Sequence, residues 1–211
     1  MKILMADDHE VVRRGVAEIL RESLPNPRVD EVSSAQETLK AVGLTTYDIV
    51  LLDIHFPDGS GLDVLQQIRS LHSKTRVLLF SMYPEEQYAR RALRLGAAGY
   101  LTKDTLSSEL SDAIRQVAAG GRYISQTLAE LLVDEFRTDD PSPPHESLSD
   151  REFQVLIGLA AGQSVGALAN ELSLSPKTVS TYRARALEKL KLHSTAELIR
   201  YALEHGLLKR L

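Results

Sequence analysis

The sequence predicts an α/β fold class, a doubly wound domain with a parallel five-stranded sheet, followed by an all-α domain of four helices. Three observations lead there. Short apolar runs alternate with longer amphipathic stretches through the first part of the chain. Residues 137–147, RTDDPSPPHES, hold three Pro, two adjacent Asp and no aliphatic side chain. Beyond them only helical spacing recurs. Parallel strands need crossover helices, and those helices cover both faces of the sheet.

In chain order, KILMAD, RVDEVS, YDIVLLD, TRVLLFS and AAGYLT read as strands. Residues around 10–24, 35–43, 61–71, 85–95 and 106–119 read as the helices that follow them. IVLLD and VLLF are almost wholly apolar, as strands buried on both faces must be. RVDEVS carries Asp30 and Glu31 and is expected to be short or at an edge. Residues 123–135 form one more expected helix, leading into the Pro-rich segment, which favours extended or turn geometry and lets two domains reorient. The expected division is a first domain over 1–122, a connecting helix and linker over 123–147, and a second domain over 148–211. In that second domain helices are expected over 150–161, 165–172, 176–190 and 195–204. Ser149 with Glu152 three residues later has the spacing of a capping box, and Ser175 before Pro176 that of a cap with proline at the first helical position.

The 211 residues carry 25 Lys and Arg against 29 Asp and Glu, a net charge of −4. The acidity belongs to residues 1–137, with 16 basic and 20 acidic groups, whereas residues 138–211 hold nine of each. Within the latter, Lys177, Arg183, Arg185, Lys189 and Lys191 form a local basic stripe that can serve an anionic polymer. The absence of Cys excludes disulfides, thiol catalysis and Cys-based metal centres. The six His are scattered without ligand spacing, which argues against a transition-metal site. Asp7, Asp8 and His9 interrupt the first apolar run, and no later run is long enough to cross a bilayer, so a cytoplasmic protein without membrane contact is expected.

Asp7 and Asp8 end the first strand, Asp53 ends the third, Ser81 ends the fourth and Lys103 follows the fifth. In an open parallel sheet these carboxyl ends share one crevice. Three carboxylates there repel one another unless protonated or neutralised, and their oxygen ligands suit Mg²⁺. A cation beside Lys103 makes a seat for a phosphoryl group, leaving one carboxylate as nucleophile.

The segments ADDHEVVRRG, LLDIHFPDGSGLDVL, FSMY and GAAGYLTKD resemble the receiver domain of bacterial two-component response regulators over residues 1–120. The resemblance implies that Asp53 is the phosphoacceptor, supplied by a sensor histidine kinase. It implies that Asp7, Asp8, Asp53 and the main-chain carbonyl of His55 hold Mg²⁺, and that Ser81 and Lys103 contact the phosphoryl oxygens. Tyr100 resembles the aromatic switch residue that responds to Ser81. Asp58, in the PDGSG turn, is read as a turn former. Phe56 stands where the family commonly has Met, a packing change, and bulky His55 and Tyr83 lead to an expectation of slow self-dephosphorylation.

VGALANEL, SLSP and KTVSTYRARALEKLKL have the spacing of helix, turn and second helix. Together with LSDREFQVL and the final helix they resemble the DNA-binding domain of LuxR and FixJ regulators, the NarL/FixJ family. By that resemblance Ser180, Thr181 and Ala184 face bases, and Lys177, Tyr182, Arg185 and Lys189 meet phosphates of double-stranded promoter DNA. Arg183 packs its stem inward, and Ala167 replaces a common glutamate. Ala196, Ile199, Leu203 and Leu207 lie near one apolar face of the last helix; part is expected to cover the domain and part to pair with a second copy in an active homodimer. A haloacid-dehalogenase-like phosphatase also uses an Asp nucleophile with Mg²⁺, but needs an acid/base Asp where His55 stands. A phosphorylation-independent regulator with a vestigial receiver is the other alternative, opposed by the presence of Asp7, Asp8, Asp53, Ser81 and Lys103.

Overall fold

The computed structural model describes residues 1–71, 74–105, 107–137 and 143–208, in two compact units, Met1–Asp134 and Glu135–Leu211. The first unit runs β1 (Lys2–Ala6), α1 (Glu10–Ser23), β2 (Arg28–Val32), α2 (Ala35–Leu44) and β3 (Ile49–Leu52). A hairpin of two-residue strands, β4 (His55–Phe56) with β5 (Gly59–Ser60), leads to α3 (Gly61–Leu71), β6 (Arg76–Ser81), α4 (Glu85–Arg94), β7 (Gly99–Thr102) and α5 (Ser107–Ala118), and α6 (Gln126–Arg137) starts in this unit and ends three residues past its boundary. Of the expected Pro-rich linker 137–147, residues 138–142 lie outside the described residues.

The five longer strands pair in parallel in the order β2-β1-β3-β6-β7. The order reverses between β1 and β3, where the loops leaving their carboxyl ends diverge and open a crevice. Ile3, Met5, Ile49, Leu51, Leu78 and Phe80 form one core layer with Leu110, Ile114 and Val117 of α5. The alternate residues Leu4, Val50, Leu52 and Leu79 are also fully buried, so both faces of the sheet are covered. β2 takes the edge, and its residues are exposed or half-buried throughout.

Two residues behind the crevice have roles set by close approach. Asp58, read from sequence as a turn former, accepts from Ala35 N at 2.9 Å and Gln36 N at 3.0 Å, so it caps α2 from across the fold. Gly61 donates its N–H to Ile54 O at 2.7 Å, and a Cβ added there would lie 1.8 Å from the Asp53 carbonyl oxygen. Gly61→Ala therefore forces apart the turn that carries Asp53. A loss of about 3 kcal/mol is expected, the upper end of overpacking costs, measurable as a drop in the urea midpoint of the full chain.

The second unit holds a 3₁₀ turn (Pro144–Ser147), α7 (Asp150–Ala160), α8 (Val165–Glu171), α9 (Pro176–Leu190) and α10 (Thr195–Glu204). The Ser149/Glu152 capping box forms in full. Ser175 caps α9 with Pro176 at its first position, and α9 stops at Lys191 in the left-handed region, φ 56°. The last helix differs from expectation. Leu198, Tyr201 and Ala202 face the core, whereas Ala196 and Leu203 are exposed and Ile199 is half-buried. Of the four residues named from sequence only Leu207 is buried, because the inward stripe is Leu198, Tyr201 and Ala202.

Candidate functional site

The crevice brings Asp7, Asp8, Asp53, Ser81 and Lys103 to one edge of the sheet. β1 ends at Ala6, so Asp7 and Asp8 occupy the first two loop positions; Asp53 N donates to Ala6 O at 2.9 Å and holds the two loops side by side. Lys103 N donates to Ser81 O at 2.8 Å, which extends the β6–β7 pairing into the site. The Lys103 ammonium then lies 2.6 Å from both Asp7 Oδ2 and Asp53 Oδ2. All three side chains are at most 4% exposed. Asp53 Oδ1 accepts from Ile54 N at 2.7 Å.

Burial pushes the Asp53 carboxyl up to about 6 from its ordinary 3.8, with Lys103 opposing the rise and Asp7 adding to it. Burial works against the Lys103 ammonium, but the Asp53 and Asp7 carboxylates outweigh it and its pKa is raised. The lysine thus neutralises part of a carboxylate cluster that has excess negative charge. One ligand atom each from Asp7, Asp8, His9 and Asp53 lies within 4.8 Å of the others. Among the described residues, Asp7 Oδ2 and Asp8 Oδ1 are buried without a hydrogen bond of sound geometry, although Lys103 and His9 nitrogens approach to 2.6 and 2.7 Å. Buried oxygens with spare lone pairs fit a hard divalent cation such as Mg²⁺.

His9 was missed in the sequence reading as a member of this cluster. Its main-chain N donates to Asp7 Oδ1 at 2.8 Å, and its ring approaches both aspartates. The signal was adjacency alone, since a His following two aspartates at a strand end must lie beside them. Arg13 of α1 also reaches the site, donating to the Asp7 carbonyl at 2.7 Å. His55 begins β4, half-buried, and its ring packs on Tyr83 at 4.7 Å between centroids.

Ser81 is fully buried, and its Oγ accepts from Tyr83 N at 3.4 Å. Tyr100, on β7, is also fully buried, and its hydroxyl donates to the Tyr83 carbonyl at 2.8 Å. Burial raises the phenol far above its ordinary value, with a hydrogen bond from Ser81 opposing the rise. Ser81 and Tyr100 are therefore joined through the backbone at Tyr83. Phe56 is buried at 3% exposure, in keeping with a packing role.

On the second unit, Lys177, Ser180, Thr181, Ala184 and Arg185 are all exposed and recur at three- and four-residue spacing, so they share one face of α9. Val179, Ala186 and Leu190 are buried on the other. Tyr182 is half-buried at the margin. Thr181 Oγ1 donates to Lys177 O at 3.0 Å, leaving its oxygen free to accept. Arg183 is half-buried with its Nε inside, and that atom has no hydrogen-bond partner among the described residues.

Lys189, expected from the sequence to meet a phosphate, also has a partner within its own unit. Its ammonium lies 2.6 Å from Glu152 Oε2, the carboxylate that closes the α7 capping box by accepting from Ser149 N at 2.8 Å. Burial would raise the Glu152 carboxyl, but hydrogen bonds from Lys189 and Ser149 prevail and hold it below the usual range. The stabilisation is present above the ordinary carboxylate range and is lost as the pH falls through the lowered value. Lys189→Ala is expected to cost the second unit about 1–2 kcal/mol near neutral pH, partly screened because the lysine is exposed. It should leave the salt dependence of DNA binding unchanged. Thermal melts at neutral and acidic pH check the first point, and the penalty should shrink as Glu152 protonates.

A family model described as response regulator receiver domain matches residues 3–115, and one described as bacterial regulatory proteins, luxR family, matches residues 146–202. The chain is 33% identical to the response regulator UvrY of Escherichia coli K12, covering 98% of this chain and 95% of that protein. It is 38% identical to the response regulator GacA of Pseudomonas protegens, covering 98% and 97%. Salmonella enterica serovar Typhimurium RcsB, solved on promoter rprA with the phosphomimetic BeF3⁻, matches with TM-score 0.63 and 22% identity over 95% of this chain and 98% of that one, a likeness of fold. A LuxR-family response regulator from Aurantimonas matches with TM-score 0.60 and 33% identity over 65% of this chain and 98% of that one.

Proposed function

The chain belongs to the two-component response regulators with a LuxR-type DNA-binding domain, and from that premise we propose that Asp53 accepts a phosphoryl group from a sensor histidine kinase and thereby controls binding to promoter DNA. The observation that carries the proposal is the buried Asp53 carboxylate, held at 2.6 Å by a lysine that also binds Asp7. An Asp53 carboxylate oxygen attacks the phosphorus of the kinase phosphohistidine, the P–N bond breaks, and an acyl phosphate forms with the imidazole as leaving group. Lys103 is positioned to follow the new negative charge, and Ser81 to donate its hydroxyl to a phosphoryl oxygen. Asp7, Asp8 and Asp53, with the His55 carbonyl, would hold Mg²⁺, which when bound offsets the charge gathered in the crevice. His55 and Tyr83 pack together beside the site and restrict water, so the acyl phosphate is expected to outlast seconds in a phosphate-release time course.

A turnover phosphatase is less well supported, because it needs an acid/base carboxylate two residues after the nucleophile, where His55 stands. Output falls to the exposed face of α9. Lys177 and Arg185, with Tyr182 at the margin, are assigned to phosphates, and Ser180, Thr181 and Ala184 to the base edges of the major groove. Three small side chains offer few direct base contacts, so DNA shape carries part of the discrimination. The exposed Ala196 and Leu203, with Ile199, suit pairing of α10 with a second copy on half-sites about 10 base pairs apart. Selection of genomic DNA fragments with and without a small phosphoryl donor tests the reading. Recovery of a restricted set of fragments, enriched by the donor, is expected; recovery without selectivity would count against it.

A further inference from the structure

The start of α6 is built into the first unit from three sides. Tyr123 pairs in parallel with Gly99 at the outer edge of β7, and its N–H donates to Ala98 O at 2.8 Å. A Cβ on Gly99 would lie 2.5 Å from the Tyr123 carbonyl oxygen, so the segment approaches β7 as closely as a glycine permits. The Tyr123 hydroxyl donates to Glu109 of α5. Ser125 has two partners. Its Oγ accepts from Leu128 N at 3.0 Å, capping α6, and its hydroxyl hydrogen goes to Glu85 Oε2 in the first turn of α4. Leu128 is fully buried behind this cap.

Glu85 lies two residues beyond Tyr83, whose carbonyl receives the Tyr100 hydroxyl and whose N–H reaches Ser81 Oγ. Hydrogen bonds join Ser81 and Tyr100 to the Tyr83 backbone, the chain runs from there through Pro84 to Glu85, and the Ser125 hydroxyl links Glu85 to the first turn of α6. Glu85 is half-buried; burial raises its carboxyl, and the Ser125 hydroxyl and the Leu128 N–H oppose the rise, so both of its donors come from the start of α6.

We propose that Glu85 and Ser125 are positioning residues that couple the phosphorylation switch at Ser81 and Tyr100 to the helix leading toward the DNA-binding domain. A shift of the Tyr83 backbone moves the first turn of α4, and the Ser125 hydroxyl carries that movement into the cap of α6. Neither residue touches the phosphoryl site, so the pair governs how phosphorylation is read out and not how it occurs. This inference rests on the functional reading above.

The test uses the full chain and its Ser125→Ala, Ser125→Thr and Glu85→Ala variants. Adduct formation with a small phosphoryl donor is followed by intact mass, and DNA affinity is measured before and after phosphorylation. Wild type is expected to show an affinity ratio in the usual allosteric range of about 5- to 150-fold. Ser125→Ala and Glu85→Ala should phosphorylate at the wild-type rate while the ratio falls to within about twofold of one. Ser125→Thr, which keeps the hydroxyl, should restore it. A full ratio in Ser125→Ala or in Glu85→Ala overturns the coupling role alone. Absence of any ratio in wild type overturns the functional reading and this inference with it. Loss of folding in Ser125→Ala would be seen as failure to take up the phosphoryl group, and would likewise overturn a role confined to readout.

Discussion

Replacing Lys103 with Met is expected to cost the metal-free protein about 3–5 kcal/mol near neutral pH, because it leaves two buried carboxylates facing each other without their cation. Two further signs distinguish this from ordinary loss of packing. In wild type the Asp53 carboxyl already sits at about 6 instead of 3.8, so the folded state holds its proton more tightly than the unfolded state. Ionised Asp53 therefore opposes folding above pH 6, and its contribution improves as the pH falls from about 6 toward about 4. Lys103 is the group holding that carboxyl down, so in Lys103→Met the same recovery begins at higher pH. Added Mg²⁺ should restore stability more in the variant than in wild type, since the ion supplies the missing positive charge. Urea titrations at several pH values, with and without Mg²⁺, measure all three. A variant destabilised equally at every pH, and indifferent to Mg²⁺, would show that Lys103 acts only through its packing.

The second large effect is on the other unit. Lys177 and Arg185 lie exposed on the same face of α9, with α9 anchored beneath them by Val179, Ala186 and Leu190. Changing both to Ala removes two cations without disturbing a buried contact. Affinity for any selected fragment should fall by about 10- to 100-fold at physiological salt. The slope of log affinity against log salt should become shallower by about 2 per bound copy, since each phosphate contact contributes about 0.9. The melting temperature should not move. Base preference should also persist, because phosphate contacts position the protein while Ser180, Thr181 and Ala184 stay in place. A double variant with an unchanged salt slope would move the interface to another surface.

Much of this was legible before the structure. Alternating apolar runs specify a parallel sheet, and carboxyl ends of strands converge whatever their separation in sequence, so Asp7, Asp8, Asp53, Ser81 and Lys103 were gathered correctly. β2 betrayed its edge position through Asp30 and Glu31. What escaped depended on contacts between elements distant in sequence. Asp58 caps α2 from 22 or 23 residues away, and no local turn rule conveys that. Lys189 looked like one more member of a basic stripe because its partner, Glu152, lies 37 residues earlier. Helical spacing on α10 pointed to the face of Ala196, Ile199, Leu203 and Leu207. The one actually buried contains Tyr201, whose hydroxyl meets the His145 main-chain N–H at 3.1 Å, a contact invisible to periodicity. The Ser125–Glu85 bond is of the same kind.

The central claim is that phosphorylation at Asp53 sets DNA binding. Intact mass with peptide mapping, paired with DNA affinity, tests it on wild type and Asp53→Asn after treatment with Mg²⁺ and a small phosphoryl donor. The expected result is one added phosphoryl group on the peptide containing Asp53 in wild type, none in Asp53→Asn, and tighter DNA binding only where the adduct forms. An adduct of equal yield in Asp53→Asn, or tighter binding without any adduct, would contradict it.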